Sequence, residues 1–351
     1  MKPFLKYTLA GVVGLLIGLS FLSCGRQTGG IQSETELTYK FISGEKDSQN
    51  RLLEIQINGP ILNSSSDAFG FPGTIAYGYE IERLLERASK DDKIKGVFLR
   101  LSTPGGTIVG SNAVFEALKR YRETTKKPVV AYIDGLSASG GVMSMVGADV
   151  VYAAPGSLIG SIGVVGAQLI YYDTPTAIDN GILGGGITTR NGIQQTIISA
   201  GRSKDIGNPF RKPTEEELRV LRQGTIAEYN NFVDRVAQAR KIDPKLIRDK
   251  MGALLFDNKT AQQFKLIDGT KNQKDAIADL ANRAQVGKNF QLIRVEQRTD
   301  ILAGLLGAQT TPSQEAMQAT AQRDLCAVVT SRLPMVYYGN VNRLCPQKLE
   351  H

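Results

Sequence analysis

Residues 127–141 read KPVVAYIDGLSASGG, and this stretch decides the fold. Its first half, Val129-Val130-Ala131-Tyr132-Ile133, is a short apolar run rich in β-branched residues and bounded by turn formers. That is the pattern of a strand buried on both faces. Its second half presents a serine on a tight, glycine-rich turn and leads into a short helical segment.

The same order of events recurs on either side. RLLEIQING (51–59) has a strand pattern, and Tyr79 to Lys90 carries Ile81, Leu84, Leu85 and Ala88 at helical spacing. IKGVFLRLS (94–102) is a second buried strand that runs into Thr103-Pro104-Gly105-Gly106 and a helix to about Lys119. DVVYAA (149–154) is strand-like again. Alternating strands and helices, with glycine turns after the strands, predict α/β architecture. Such folds keep their sites in the loops at the C-terminal ends of the strands. Further on, QQTIISAG (194–201) is a strand candidate, and Gly184-Gly185-Gly186 reads as a loop. Thr214-Glu215-Glu216-Glu217 starts a helix that runs to about Arg240, because threonine caps and acids favour the first turn. Residues 243–285 are mostly helical in pattern, and the chain shows no internal repeat.

At 351 residues and 42% hydrophobic content, the chain can bury a substantial core. The net charge is +8, but the basic residues are scattered among acids, as in RKIDPKLIRDK (240–250). That is a solvated surface, not a nucleic-acid stripe. No CxxC or HxH spacing points to a metal, and no cofactor motif is present. Residues 1–24 hold an uncharged, mostly apolar run of about 17 residues behind Lys2 and Lys6. Its length is at the short end for a bilayer span and its charge bias puts the rest of the chain outside, so it reads as a signal-anchor helix. Cys24, after Phe21-Leu22-Ser23, also fits imperfectly the end of a lipoprotein signal. Residues 25–50 are polar and patternless and read as a tether. The domain is expected over residues 51–290, with a tail over 291–351. In that tail Cys326 and Cys345 are either a disulfide or two free thiols, and PMVYYGNV (334–341) has the extended, apolar character of a segment that lies in a groove of its own chain.

A serine hydroxyl needs a base beside it. The only histidine is His351, in an ending Leu349-Glu350-His351 that resembles a purification-tag remnant, and it is given no role. A buried lysine can take histidine's place, because desolvation disfavours its charged form. An oxyanion hole needs two converging backbone N–H groups, and the turns 103–106 and 139–141 offer Gly106 and Gly140. Tight structural turns are the alternative reading of both.

LRLSTPGGTIVGS (99–111), VVAYIDGLSASGGVMSMVGAD (129–149), SLIGSIGVVG (157–166), SAGRSKDIGNPFRKPTEEE (199–217) and LLFDNKTAQQFKLID (254–268) follow in this order. Together they resemble the half-length form of signal peptide peptidase A, a family of membrane-anchored serine proteases with a ClpP/crotonase-like fold. The resemblance covers roughly residues 51–285. It implies Ser139 as nucleophile, Lys204 as general base, Gly106 and Gly140 as oxyanion-hole donors, and Ser161 as the group that orients the lysine. It further implies a Ser-Lys dyad that needs no metal or cofactor. The implied substrates are remnant signal peptides and misfolded exported proteins. The implied assembly is a homo-oligomeric ring, an octamer in the family, with serine and lysine drawn from neighbouring protomers. The place would be the bacterial cytoplasmic membrane, with the catalytic domain outside. Two departures stand out: Thr103 replaces the family's usual serine, and Val142 replaces an aromatic residue. The readings that compete are a non-catalytic ClpP-like membrane scaffold and a crotonase-like acyl-CoA enzyme. Locally, Ser137 or Ser144 would be the serine, or Lys204 a surface lysine paired with Asp205, with Arg202 on the lysine's face if the segment were a strand.

Overall fold

The computed structural model describes residues 38–64, 75–173, 178–179, 187–188, 195–295, 322–327 and 334–340. The anchor segment 1–24, Cys24, Cys345 and the glycine run 184–186 lie outside the described residues.

The strands are β1 (Tyr39–Gly44), β2 (Arg51–Asn58), β3 (Ile61–Leu62), β4 (Ala76–Tyr77), β5 (Ile94–Thr103), β6 (Gly105–Thr107), β7 (Val129–Ala138), β8 (Val150–Ala153) and β9 (Leu158–Gly160). Beyond them come β10 (Ile178–Asp179), β11 (Ile187–Thr188), β12 (Leu255–Phe256), β13 (Gly269–Thr270), β14 (Gln291–Val295) and β15 (Met335–Tyr337). The main sheet runs β1-β14-β2-β5-β7-β8-β13. Every pair along this order is parallel except β1 with β14. The fold is therefore the α/β architecture expected from the sequence. Parallel strands need crossovers, and here they are helices: α1 (Gly78–Lys90) leads into β5 and α2 (Ile108–Thr125) joins β5 to β7.

The runs that predicted β5 and β7 are buried on both faces. Val97, Phe98, Leu99, Val129, Val130, Ala131 and Ile133 are all 0% exposed. One face packs Phe98, Val130 and Tyr132 against Ala276 and Leu280 of the helix Gln273–Arg283, and the Phe98 and Tyr132 rings stack at 5.6 Å. Truncating a buried leucine such as Leu280 to alanine costs about 2–5 kcal/mol.

β7 is long enough to change partners. Its first part pairs with β8, and Leu136 to Ala138 pair with β9, which pairs in turn with β12. A second sheet, β15-β6-β3-β4, lies at the C-terminal end of β5. Its β6 is the glycine turn that follows β5, drawn out into a short strand.

Four observations differ from the sequence reading. Tyr39–Gly44, within the polar tether, is a strand on the edge of the main sheet. Gln291–Val295, assigned to the tail, lies inside that sheet between β1 and β2. Residues 195–199 form no strand, and Ile197 and Ile198 are exposed. Finally, Lys204 sits in a run of turns, not on a strand, so the face-sharing argument for Arg202 does not apply. No helix among the described residues is long and apolar enough to cross a membrane.

Candidate active site

β7 delivers Ser139 to the N-cap of α3 (Gly140–Met145) with φ 54° and ψ −110°. A non-glycine residue pays of order 1–3 kcal/mol to hold such a conformation, and residues of this kind cluster at functional sites. Two contacts hold it there. Ser139 N–H donates to the Gly160 carbonyl at 2.8 Å, continuing the β7–β9 ladder, and Ser139 Oγ donates to the Gly163 carbonyl at 3.3 Å. Ser139 is 1% exposed.

The turn after β5 arrives beside it. Thr103 Oγ1 accepts from Gly105 N–H at 3.0 Å, so the threonine hydroxyl caps the turn and the departure from serine leaves that role intact. Gly105 needs its positive φ of 96°. Gly106 has no room for a side chain: a Cβ there would stand 1.9 Å from the Ile61 carbonyl oxygen. A Cβ on Gly140 would stand 3.0 Å from Gly106 N and 2.3 Å from Ser111 Oγ, and one on Gly105 would stand 2.6 Å from Gly140 N. The backbones of Gly106 and Gly140 thus meet in one place, next to the serine. Gly140 is the first residue of a helix, whose N–H has no partner within that helix.

Ser161 follows Gly160 directly, is 5% exposed and has φ 58°, and its N–H donates to the Leu254 carbonyl at 2.6 Å. The structure therefore brings Ser139, Gly106, Gly140 and Ser161 together. It does not bring Lys204 to them. Lys204 is exposed, and no hydrogen bond joins it to Ser139 within one chain. Its neighbours are fixed instead. Arg211 bridges Asp205 (2.9 and 3.0 Å) and Glu217 (2.8 and 3.0 Å), and Glu217 completes a capping box with Thr214 on α4 (Glu215–Arg240). Asp205 is thereby taken by Arg211, and Arg202 pairs with Glu216 at 3.3 Å. The Arg211 hydrogen bonds hold the Glu217 carboxyl down to about 2 and lower that of Asp205 as well.

The hydroxyls of the competing serines are engaged away from the glycine turn after β5. Ser137 Oγ donates to Met145 Sδ at 3.3 Å and Ser144 Oγ to the Gly140 carbonyl at 2.9 Å, and both residues are 0% exposed. Val142 is likewise fully buried. Among the described residues no group of acids, cysteines or histidines is placed to hold a metal. An open groove of about 1260 Å³ between α2 and α4 includes none of the five predicted site residues.

The sequence reading did not single out Ser111, whose buried hydroxyl lies under Gly140 without a partner among the described residues. It did raise PMVYYGNV (334–341) as a segment lying in a groove of its own chain, and a strand from that segment lies over the site. β15 pairs antiparallel with β6, Val336 opposite Gly106, and Met335 bonds through both backbone groups to Val165 at 2.9 Å. Its only signal was the extended, apolar PMVYYGNV (334–341).

Residues 121–287 match the family model for Peptidase family S49. A protein of Methanocaldococcus jannaschii named as a protease is 34% identical over 203 residues, 58% of this chain and 60% of the relative. One of Enterococcus faecium named as signal peptide peptidase SppA is 23% identical over 303 residues, 85% of this chain and 83% of the relative. Among solved structures, a mutant of the 1510-N membrane-bound stomatin-specific protease shares 14% identity at TM-score 0.43, covering 71% of this chain and 99% of that one. A ClpP1 mutant from Listeria monocytogenes shares 10% at TM-score 0.40, covering 64% of this chain and 94% of that one. By the family match and these relatives, the chain is a relative of the peptidases of family S49, the group its motifs resemble.

Proposed function

We propose that the chain is a membrane-anchored serine endopeptidase with a Ser139–Lys204 dyad. The observation that carries this reading is the meeting of the Gly106 and Gly140 backbones beside a serine held at φ 54°. In this mechanism Lys204 takes the Ser139 proton and the alkoxide attacks a peptide carbonyl. The two glycine N–H groups hold the oxyanion, Lys204 protonates the leaving amine, and water releases the acyl group by the reverse path. Ser161 steers the lysine amine. The substrates are remnant signal peptides and misfolded exported proteins, met at the outer side of the bacterial cytoplasmic membrane.

The working unit is a ring in which one protomer's Lys204 reaches the next protomer's Ser139. Supporting this is the surface around Lys204. Ile170, Tyr171, Tyr172, Ile197 and Ile198 are all exposed, Ile198 at 98%, and the first half of α4 carries exposed Val220 and Ile226. Apolar surface of this kind marks an association site.

The test is hydrolysis of fluorogenic peptides by the full chain from about pH 6 to 10, where a general base of this type titrates. Turnover lost in both Ser139→Ala and Lys204→Ala, with assembly unchanged, supports the dyad. A crotonase-like acyl-CoA enzyme would keep its activity in both variants. A second reading, a non-catalytic ring scaffold, is favoured by the exposed Lys204, which makes no hydrogen bond to Ser139 within the described residues of one chain. An assembled ring that hydrolyses no peptide would establish it.

A further inference from the structure

We infer that Ser111 and Ser144 are positioning residues of the oxyanion hole: together they fix the span between the Gly106 and Gly140 N–H groups. The inference rests on the peptidase reading above and concerns the same site.

The two proposed donors come from separate segments of the chain. Gly106 belongs to β6, which follows β5, and Gly140 opens α3, which follows β7. Groups that stabilise a developing charge must be held within about 0.5 Å of their working places. The start of α2, which grows directly out of β6, therefore has to be tied to the start of α3.

Two serines stand at that crossing. Ser111 lies at the start of α2 and Ser144 in α3, and both are 0% exposed. Ser144 Oγ donates to the Gly140 carbonyl of its own helix at 2.9 Å and also reaches the Ser111 carbonyl of the other at 3.3 Å. Ser111 closes the brace from the opposite side. A Cβ on Gly140 would stand 2.3 Å from Ser111 Oγ, so the hydroxyl oxygen fills the space beside the Gly140 Cα. Gly140 is thus held at its carbonyl by Ser144 and at its Cα by Ser111.

The state of the Ser111 hydroxyl marks it as more than packing. A serine inside a helix can turn its hydroxyl back to the carbonyl four residues earlier, as Ser144 does to Gly140. For Ser111 that acceptor would be the Thr107 carbonyl. Ser111 forgoes it: its Oγ is buried with no hydrogen-bond partner among the described residues, and it faces Gly140 instead. An unpaired buried hydroxyl costs stability, and a cost held at a functional site calls for a functional reason.

The element behind Ser111 is firm. Thr107 Oγ1 caps α2 by accepting from Gly110 N–H at 3.1 Å, and it donates to Asn63 Oδ1 at 2.6 Å. Gly110 lies so close to β3 that a Cβ there would stand 2.3 Å from the Leu62 carbonyl oxygen. Ser111 is therefore a fixed stop against which Gly140 is set.

Ser111→Ala and Ser144→Ala in the full chain test this. Each is expected to lower kcat for a fluorogenic peptide about tenfold, short of the ~10²-fold that follows outright loss of a donor. KM and the midpoint of the pH–rate profile should stay unchanged, because neither the ground-state contacts nor the base is altered. Affinity for a peptide boronic acid, whose tetrahedral adduct with Ser139 places an oxygen in the hole, should fall by the same factor as kcat. Ser111→Ala should melt at or above the wild-type temperature, since it removes a hydroxyl that has no partner. A serine that only holds the fold would do the reverse, with a lower Tm and an unchanged kcat, and that result overturns the inference. The second variant decides if the first fails to fold. Wild-type kcat in both folded variants also overturns the inference, while hydrolysis that still depends on Ser139 leaves the peptidase reading standing. An assembled wild-type ring that neither hydrolyses peptide nor binds the boronic acid overturns both.

Discussion

At the scale of the residue, the candidate site rests on a backbone conformation that a residue with a Cβ rarely adopts. Ser139 holds φ 54° against the preference of any residue with a Cβ. Ser139→Ala and Ser139→Gly both remove the hydroxyl, whose recorded bond is the one to Gly163. Glycine adopts the conformation freely and alanine does not, so Ser139→Gly should be the more stable of the two by about 1 kcal/mol. Thermal melts of the two inactive proteins read this directly, and equal melting temperatures would show that the conformation is not strained. Gly106→Ala is expected to behave differently. Its Cβ would lie 1.9 Å from a backbone oxygen that cannot rotate away. Overpacking of this sort costs about 1–3 kcal/mol. It also moves the proposed oxyanion donor, so on that proposal kcat should fall by about 10²-fold or more. A Gly106→Ala enzyme with normal kcat would remove that N–H from the mechanism.

At the scale of the element, what the sequence revealed tracks burial. β5 and β7 were legible because their side chains are buried on both faces and their residues are correspondingly apolar. β1 was not, because an edge strand with a largely exposed side-chain pattern keeps the polar composition of a linker. QQTIISAG (194–201) misled for the opposite reason: its isoleucines are exposed, and apolar content alone read as sheet. Thr214 was read correctly from its type and the acids behind it, and the capping box is present. That box and Arg211 together fix the start of α4 and the Lys204 turn, and their pH response has a definite sign. The folded carboxyl of Glu217 is depressed to about 2, chiefly by the Arg211 hydrogen bonds. A depressed carboxyl contributes stability above its unfolded value and loses it as the pH falls through the folded one. Thermal stability should therefore drop as the pH falls from about 4.5, the ordinary glutamate range, toward 2. Glu217→Gln should flatten that drop while lowering stability at neutral pH. An acid limb identical in the two proteins would mean that the network does not hold the turn.

At the scale of the whole molecule, Ser139, Gly106, Gly140 and Ser161 lie near one another, while Lys204 stands on the surface. Sequence motifs name residues but not which copy of the chain supplies them, so this division was legible only as an implication of the family. If neighbouring protomers share each site, Ser139→Ala and Lys204→Ala are each inactive but complementary. In rings reassembled from an equal mixture, half the protomers carry an intact Ser139 and half of their neighbours an intact Lys204. About one quarter of sites should then work, half of one half, in a closed head-to-tail ring. Activity near a quarter of wild type, appearing only after dissociation and reassembly, supports sharing. Mixed rings verified by mass that stay inactive would place both residues in one chain, and the turn at 200–207 would then have to move to reach Ser139.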